Sequence, residues 1–143
     1  MIFTIAAIML LAFSSNAAAQ EKISDEQINV LKILEVANGD ENGNMNFDAN
    51  VTRAELLKMI ISASPYKASA LNTQLKISLF PDVKNSHWAA GYINTAINAG
   101  LVNGYLDGTF RPSNNVKLEE AVAIILRLLQ YNSSDVTQNY PVS

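Results

Sequence analysis

Apolar side chains recur at helical spacing in several stretches of this chain. From residue 88 they share one face of a helix, and Gly100 then offers a C-terminal stop. That face consists of Trp88, Tyr92, Ile93, Ala96 and Ile97. The stretch from Glu119 to Leu129 is apolar nearly all round, which is typical of a helix in the middle of a bundle, and residues 54–61 predict a similar central helix. No segment alternates over the length of a strand, so the pattern predicts an all-α fold.

These stretches belong to an internal repeat with an offset of 65 residues, the difference between Val116 and Val51. Residues 27–60 lie on residues 92–125 without a gap. The identical pairs are Ile28/Ile93, Asn29/Asn94, Asn38/Asn103, Gly39/Gly104, Gly43/Gly108, Asn50/Asn115, Val51/Val116, Glu55/Glu120 and Ile60/Ile125. Each copy is therefore predicted to form a helix, a glycine-bearing loop and a second helix.

The repeat predicts how the chain is divided. We place a partial first copy at residues 20–63 and a second copy at residues 79–131, with a polar connector at 64–78 and a polar tail at 132–143. With 143 residues, of which 49% are hydrophobic, the chain is long enough for one compact unit with its own core.

The loops between the helices carry turn chemistry. In the second copy, Asp107 and Pro112 accompany two glycines where the chain must reverse its direction. The glycines that recur in both loops are Gly39, Gly43, Gly104 and Gly108. We interpret them as structural residues and as candidates for positive φ.

The sequence Thr52-Arg-Ala-Glu55 predicts a capping box at the start of the first copy's central helix. Both Thr52 and Glu55 thereby have a structural explanation. Arg53 does not, because a cation at the first helical position opposes the helix dipole. A guanidinium beside uncapped backbone N–H groups suits a carboxylate or a phosphate, so Arg53 is either an anion-binding residue or an ordinary solvated arginine.

Residues 1–19 have the pattern of a secretory signal peptide. The apolar run from Ile5 to Phe13 is too short to cross a bilayer, and the small residues before Gln20 suit cleavage after Ala19. We therefore expect a secreted chain with no membrane attachment after cleavage. The net charge of −3 and the lack of a dense Lys/Arg run argue against nucleic acid as a partner, and the lack of cysteine excludes disulfides and thiolate metal sites.

The order of the motifs resembles the S-layer homology family. The resemblance lies in Phe80-Pro-Asp-Val-Lys-Asn-Ser-His-Trp88, in Gly104-Tyr-Leu-Asp-Gly-Thr-Phe-Arg-Pro112 and in Val51-Thr-Arg-Ala-Glu55 of the first copy. It implies a non-catalytic anchoring module of the cell wall or S-layer, in which three repeats form a helical spindle. The grooves of that spindle would bind acidic, pyruvylated secondary cell-wall polysaccharide, with Arg53 as a ligand contact.

The second copy departs from the family pattern, because Leu118 stands at the arginine position and only Lys117 or Arg111 could substitute for it. The ligand site is therefore expected to draw on Arg53, Thr52, Glu55, Gly39, Gly104, Arg111 and Lys117. The chain carries two repeats where the family architecture has three. A third repeat, in the same or another chain, is thus an expected partner, without which the apolar flanks of the two central helices would be exposed.

A calcium-binding module of the EF-hand or dockerin type is the alternative interpretation. Residues 40–48 place oxygen-bearing side chains at alternate positions, with Asp40, Asn42 and Asn44 as candidate ligands. Counted from Asp40, however, the sixth residue is Met45 where a glycine is needed, and the twelfth is Val51 where a bidentate carboxylate is needed. The match to an EF-hand loop therefore fails, and weak calcium binding by these three side chains ranks second to the anchoring role.

An enzyme is a third class, for which the sequence offers no convincing constellation of catalytic residues. His87 is the only histidine, and no motif ties a serine or a carboxylate to it. We interpret Asp82 and Asp107 as turn residues rather than as a paired acid and base. The chain is therefore expected to have no catalytic activity, no cofactor and no dedicated metal site.

Overall fold

The computed structural model describes residues 23–72 and 77–131 as a helical molecule. The helices of these two ranges are α1 (Asp25–Ile33), α2 (Arg53–Ser62), α3 (Lys67–Leu71), α4 (Ala90–Asn98) and α5 (Leu118–Leu128). Strand-like pairing in the same ranges is limited to one isolated antiparallel bridge, between Thr52 and Asn115. The predicted all-α fold is confirmed for this part of the chain.

The first two helices begin at capping boxes. The N–H of Gln27 donates to Oγ of Ser24, and the N–H of Ser24 donates back to the Gln27 side chain. At the start of α2 the N–H of Glu55 donates to Thr52 Oγ1 at 3.3 Å, and the N–H of Thr52 donates to Glu55 Oε2 at 2.8 Å. The capping box predicted at Thr52 is therefore confirmed, and it satisfies backbone donors that the helix itself cannot use.

Helix α2 lies at the centre of the core and packs against both α3 and α4. Four of its side chains are at most 1% exposed to solvent, namely Leu56, Leu57, Ile60 and Ile61. These side chains share the core with α4, through residues such as Ile93. The expectation of a central, nearly all-apolar helix is right for α2, because neighbours cover more than one of its faces.

Helix α5 was expected in the middle of a bundle as well, and here the structure differs. Its buried residues are Ala121, Ile124 and Ile125. Leu118 and Leu126 are 49% and 44% exposed, whereas the corresponding positions of α2, Arg53 and Ile61, are 5% and 0% exposed. The reason is that α5 has no helix packing comparable to that of α2 within the described ranges, so an apolar flank faces solvent.

The segment 64–78, predicted as a polar connector, contains the short helix α3. Ala70 is 3% exposed, and α3 packs against α4. The approach is so close that a Cβ at Gly91 would overlap the carbonyl group of Ala70. No side chain caps the start of α3, which is why the sequence offers little sign of this helix.

The offset of 65 residues also relates hydrogen bonds in the two loops. The matching bonds are Asp40 N–H to Asn44 O and Tyr105 N–H to Thr109 O, at 2.9 and 2.8 Å, and Gly43 N–H to Asp40 O and Gly108 N–H to Tyr105 O, at 2.9 and 3.0 Å. Gly43 and Gly108 both have φ of 81°. The two loops therefore share one turn design, in which a positive φ follows a reversal of the chain.

Several predictions fall on other parts of the chain. The signal peptide at 1–19, the polar tail at 132–143 and residues 73–76 of the connector lie outside the described residues. The boundaries of the two copies stay predictions. In the described ranges, no helix has both the length and the apolar character needed to cross a membrane.

Candidate functional site

The two copies meet along a short backbone seam that consists of residues 51–54 of the first copy and residues 112–116 of the second. The N–H of Val116 donates to Val51 O at 2.9 Å beside the bridge between Thr52 and Asn115. The N–H groups of Arg53 and Ala54 donate to the carbonyls of Asn114 and Pro112, at 2.9 and 3.0 Å. The expected free donors at the start of α2 are therefore occupied by the loop of the second copy, which corrects one reason for placing an anion there.

The side chain of Arg53 crosses the seam and is buried, with 6% of its surface exposed. Its Nε donates to Phe110 O at 3.1 Å, its Nη2 to Asn103 O at 3.3 Å, and its Nη1 forms an ion pair with Glu120 Oε1 at 3.1 Å. Its Cζ also lies 4.8 Å from the ring centroids of both Tyr105 and Phe110. These contacts are typical of cation–π and charge-assisted hydrogen bonding.

Arg53 therefore has a structural role that the capping box alone does not reveal. The guanidinium joins the two copies through partners 50 to 67 residues away in sequence. Reasoning from the capping box considered only the helix that carries Arg53, and the partners belong to another element. Three of its five N–H donors are used in this way, so a ligand contact by Arg53 stays a prediction with little exposed surface to support it.

Arg111 is the exposed cation of the same region. Its side chain is 43% exposed, its Nη2 lies 2.7 Å from Asp107 Oδ2, and its Nε donates to Thr109 Oγ1 at 3.2 Å. Its Cζ lies 4.0 Å from the ring centroid of Tyr105, the ring that Arg53 also contacts. Two guanidinium groups thus share one tyrosine, and we call Arg53, Tyr105 and Arg111 the arginine cluster.

Carboxylates hold this loop in shape. Hydrogen bonds from Thr109 and from Arg111 lower the pKa of Asp107 well below its usual range. Burial alone would raise the pKa of Asp82, but the backbone N–H groups of Phe110 and Arg111, at 2.9 and 2.7 Å, outweigh it and lower that pKa. Both groups are therefore anionic at neutral pH, and they fix the backbone from which the Arg111 side chain extends.

Sequence reasoning missed three contributors to this region. Asn103, Tyr105 and Phe110 contact Arg53, yet they were interpreted as repeat or turn positions only. The motif of the resembling family contains the last two residues, so their presence was visible but their partner was not. Asp82 was interpreted as a turn residue, and the structure adds that its carboxylate ties residues 80–82 to the loop that carries Arg111.

The other expected site residues are dispersed. Thr52 and Glu55 form the cap of α2, and Lys117 is a solvated side chain, 76% exposed, that pairs with Glu119 at 3.6 Å. Gly104 lies in the second copy's loop, whereas Gly39 lines a cavity in the first copy. The structure thus brings together Arg53, Arg111 and the loop of Gly104, and it leaves Gly39 in a separate place.

Gly104 is needed for space rather than for its φ. It is not among the glycines with positive φ, but a Cβ at this position would overlap the ring of Phe80. Phe80 in turn packs on Phe110, with ring centroids 5.3 Å apart. The candidacy of Gly104 for positive φ is therefore wrong, and close aromatic packing is the physical reason for the glycine.

The loop considered for calcium is organised by Asp40. Its Oδ1 accepts the N–H groups of Asn42 and Asn44, both at 2.9 Å, and the Asn44 and Asn46 amides lie 3.3 and 3.4 Å from Oδ2. These donors, the Asn44 N–H first, lower the pKa of Asp40. No group of three or more acidic, histidine or cysteine side chains suited to a metal occurs in the described parts of the chain. These hydrogen bonds give Asp40 a structural role in its loop.

Comparison with known proteins relates the chain to bacterial cell-surface proteins. The S-layer homology domain family matches residues 79–122. The chain is 31% identical over 123 residues to the middle cell wall protein of Brevibacillus brevis, which covers 86% of this chain and 12% of that protein. The surface layer protein of Brevibacillus choshinensis is 31% identical over 121 residues, 85% of this chain and 11% of that protein.

The cellulosome-anchoring protein of Acetivibrio thermocellus is 34% identical over 97 residues, 64% of this chain and 20% of that protein. The chain therefore spans at most 20% of the length of these relatives. No solved structure matches the chain.

Proposed function

Because the chain belongs to the S-layer homology family, we propose that it is a non-catalytic module that anchors protein at the cell surface by binding acidic, pyruvylated cell-wall polysaccharide. The family match at residues 79–122 supports the anchoring role. The cell-wall, surface-layer and cellulosome-anchoring names of the relatives support a location at the cell wall. Secretion is inferred from the signal-peptide pattern at residues 1–19. The acidic polysaccharide is inferred from the resemblance to the S-layer homology family.

The observation that carries the ligand chemistry is the exposed half of the arginine cluster. Arg111 presents a guanidinium to solvent on a loop fixed by Asp82 and Asp107, so its position is set before a ligand arrives. A guanidinium binds a carboxylate through two parallel hydrogen bonds, so the exposed Arg111 side chain suits the acidic substituent of the polymer. We therefore assign the main ligand contact to Arg111.

The remaining expected residues have graded roles in this proposal. Arg53 supports Tyr105 from the buried side, and Gly104 permits the packing of Phe80 below the loop. Lys117 is exposed and adds positive charge near the seam. Thr52 and Glu55 hold the start of α2, and Gly39 has no contact with the arginine cluster in this proposal.

A non-enzymatic role agrees with the surroundings of the lone histidine. His87 Nδ1 accepts the N–H of Ala89 at 3.1 Å just before α4, and its ring stacks on Trp88 with centroids 5.6 Å apart. An imidazole used in this way has a structural function at the start of a helix. We propose no catalytic residues for the chain.

Co-sedimentation with purified cell-wall sacculi tests the proposal. Arg111→Ala should reduce the bound fraction at a fixed sacculus concentration, corresponding to a loss of about 1.5–3 kcal/mol, and Arg111→Lys should restore it only in part. Removal of the acidic substituent from the sacculi should abolish the difference between the variants. Lys117→Ala is a matched control of equal charge change, with a smaller expected effect. Undiminished binding of a folded Arg111→Ala chain would remove Arg111 from the site.

A further inference from the structure

Three asparagine–glycine pairs lie in the loops of the two copies, at Asn38-Gly39, Asn42-Gly43 and Asn103-Gly104. An asparagine that precedes glycine is prone to lose its side-chain amide, because glycine has no side chain to hinder attack by its own backbone nitrogen. The first and the third pair occupy equivalent positions of the repeat, related by the offset of 65 residues. The same chemistry can therefore be compared in two different surroundings.

The reaction needs only the chain and water. The backbone nitrogen of the glycine loses its proton to solvent and forms a bond to Cγ of the asparagine, while the side-chain amide takes up a proton and leaves as ammonia. Water then opens the resulting succinimide ring at one of its carbonyl groups, which gives either aspartate or isoaspartate. No group is oxidised or reduced. The attacking nitrogen must be free of hydrogen bonds, and the backbone must be able to rotate it toward the side chain.

The pair Asn38-Gly39 meets the first requirement. Its neighbours are anchored, since the N–H of Ala37 donates to Leu31 O at 3.4 Å and the N–H of Asp40 donates to Asn44 O at 2.9 Å. Between these two bonds, neither residue of the pair makes a hydrogen bond through its backbone or its side chain in the described ranges. Both residues are exposed, so water reaches them. The glycine nitrogen of this pair is therefore available for attack.

The pair Asn42-Gly43 is held in a turn. The N–H of Gly43 donates to Asp40 O at 2.9 Å, so the nitrogen that would attack is already bonded. The N–H of Asn42 donates to Asp40 Oδ1, also at 2.9 Å. The turn must open before this pair can react, and the free energy of that local opening slows the reaction.

The pair Asn103-Gly104 is fixed by two contacts. Asn103 O accepts a hydrogen bond from Arg53 Nη2 at 3.3 Å, whereas Asn38 O accepts none in the described part of the chain. Gly104 lies so close to Phe80 that a Cβ would overlap the ring. Rotation of the backbone between this asparagine and its glycine would break the bond to the arginine and displace the ring. The pair is therefore protected, although its sequence is the same as that of the first pair.

We infer that Asn38 is a site of spontaneous deamidation in the folded chain, and that Asn42 and Asn103 are protected from it. The product adds a carboxylate to the lining of the first copy's cavity of about 400 Å³, where Asp40 and Glu55 already supply two. It also makes the net charge of −3 one unit more negative. Because no enzyme is needed, the modified fraction rises with the age of the folded chain. The inference does not depend on which polymer the arginine cluster binds.

The test is an incubation of the mature full chain at neutral pH, followed by peptide mapping with mass spectrometry that separates the aspartate and isoaspartate products. Asn38 should be converted at least about tenfold faster than Asn42 or Asn103, the ratio that a local opening of about 1.4 kcal/mol imposes. The rate at Asn38 should rise with pH, because the attacking nitrogen must lose its proton. In concentrated urea the three asparagines should react at similar rates, since each precedes a glycine and none is held by the fold.

Two variants locate the cause. Asn38→Gln should remove the acidic form that isoelectric focusing detects in aged wild-type chain, because the longer side chain cannot close the same ring. Arg53→Lys, as a folded variant, should raise the rate at Asn103 and leave the rate at Asn38 unchanged, because an ammonium cannot make the same fork of bonds.

The main comparison is made on the wild-type chain, so it does not depend on whether a variant folds. The inference is overturned if Asn38 reacts no faster than the other two asparagines in the folded chain, or if the same ranking persists in urea. An acidic form that persists in Asn38→Gln would also overturn it. An unchanged rate at Asn103 in Arg53→Lys would overturn the protection assigned to the arginine.

Discussion

The loops at residues 38–46 and 103–111 share corresponding backbone hydrogen bonds, yet only the second encloses an arginine. In the second loop, the guanidinium groups of Arg53 and Arg111 both pack on the ring of Tyr105. The first loop surrounds a cavity and relies on the amide bonds to Asp40. The two loops thus share backbone hydrogen bonds, but only the second encloses an arginine side chain.

This difference shows that the loop conformation forms locally, whereas the side chain packed inside the loop comes from a distant part of the chain. Its backbone is set locally, by the turn glycine and a carboxylate that accepts backbone N–H groups. The side chain that fills the loop is supplied by the helix whose first residues pack against it. Helices α2 and α5 differ in the complementary way, since the start of α2 is docked and that of α5 is exposed.

The largest expected effect comes from matched truncations on these two helices. Ile61→Ala should lower the free energy of unfolding by about 2–4 kcal/mol, because the side chain is fully buried and leaves a cavity. Leu126→Ala, at the equivalent position of α5, should cost less than about 1 kcal/mol, since that side chain is 44% exposed. Urea denaturation followed by circular dichroism measures both. Equal losses would mean that α5 is as well covered as α2.

The second-largest effect is expected from removal of the buried Arg53 side chain. Arg53→Ala leaves Glu120 and two carbonyl groups without their donor, and we expect a loss of about 2–3 kcal/mol in unfolding free energy. Arg53→Lys should recover only part of it, because an ammonium cannot make the same fork of bonds. Thermal denaturation of the folded variants checks the order. A folded Arg53→Ala chain with unchanged stability and lost sacculus binding would restore Arg53 as a ligand residue.

The turn glycines test whether the two backbones are equivalent. Gly43 and Gly108 share φ of 81° and have open space where a Cβ would lie, so the expected penalty for valine is conformational. Gly43→Val and Gly108→Val should each reduce stability by about 1–2 kcal/mol or more, and by similar amounts. Chemical denaturation gives the two values. A loss at only one of the two positions would break the correspondence between the loops.

The smallest effect is expected from acid, acting through Asp82, which precedes the part of the second copy that aligns with the first. The pKa of Asp82 is lowered in the folded chain, so its stabilising contribution is present above the ordinary value of about 3.9 and is lost as pH falls through the folded value. Asp82→Asn should therefore reduce stability at pH 7 slightly and flatten its decline below about pH 4. Melting temperatures between pH 7 and pH 2.5 test this. An unchanged acid profile would leave Asp82 without a role in that decline.

What the sequence predicted well was local. The capping box at Thr52, the apolar face of α2 and the turns at Gly43 and Gly108 depend on residues a few positions apart. The face predicted for α4 is only partly right, because Trp88 lies before that helix and is 58% exposed. What it missed depended on distant partners. Arg53 was interpreted from its own helix, while the residues that bury it lie in the second copy, and α3 was missed because its stability comes from packing on α4 rather than from a cap.

The seam also sets the order in which the chain can mature. The start of α2 is capped by Pro112 and Asn114, and Arg53 is neutralised by Glu120, so the last of these partners is made 67 residues after the arginine itself. During synthesis from the N-terminus, Arg53 lacks the partners that pair with its guanidinium until the second copy has been made. The contacts across the seam therefore belong to the last step of folding, after the second copy has been made.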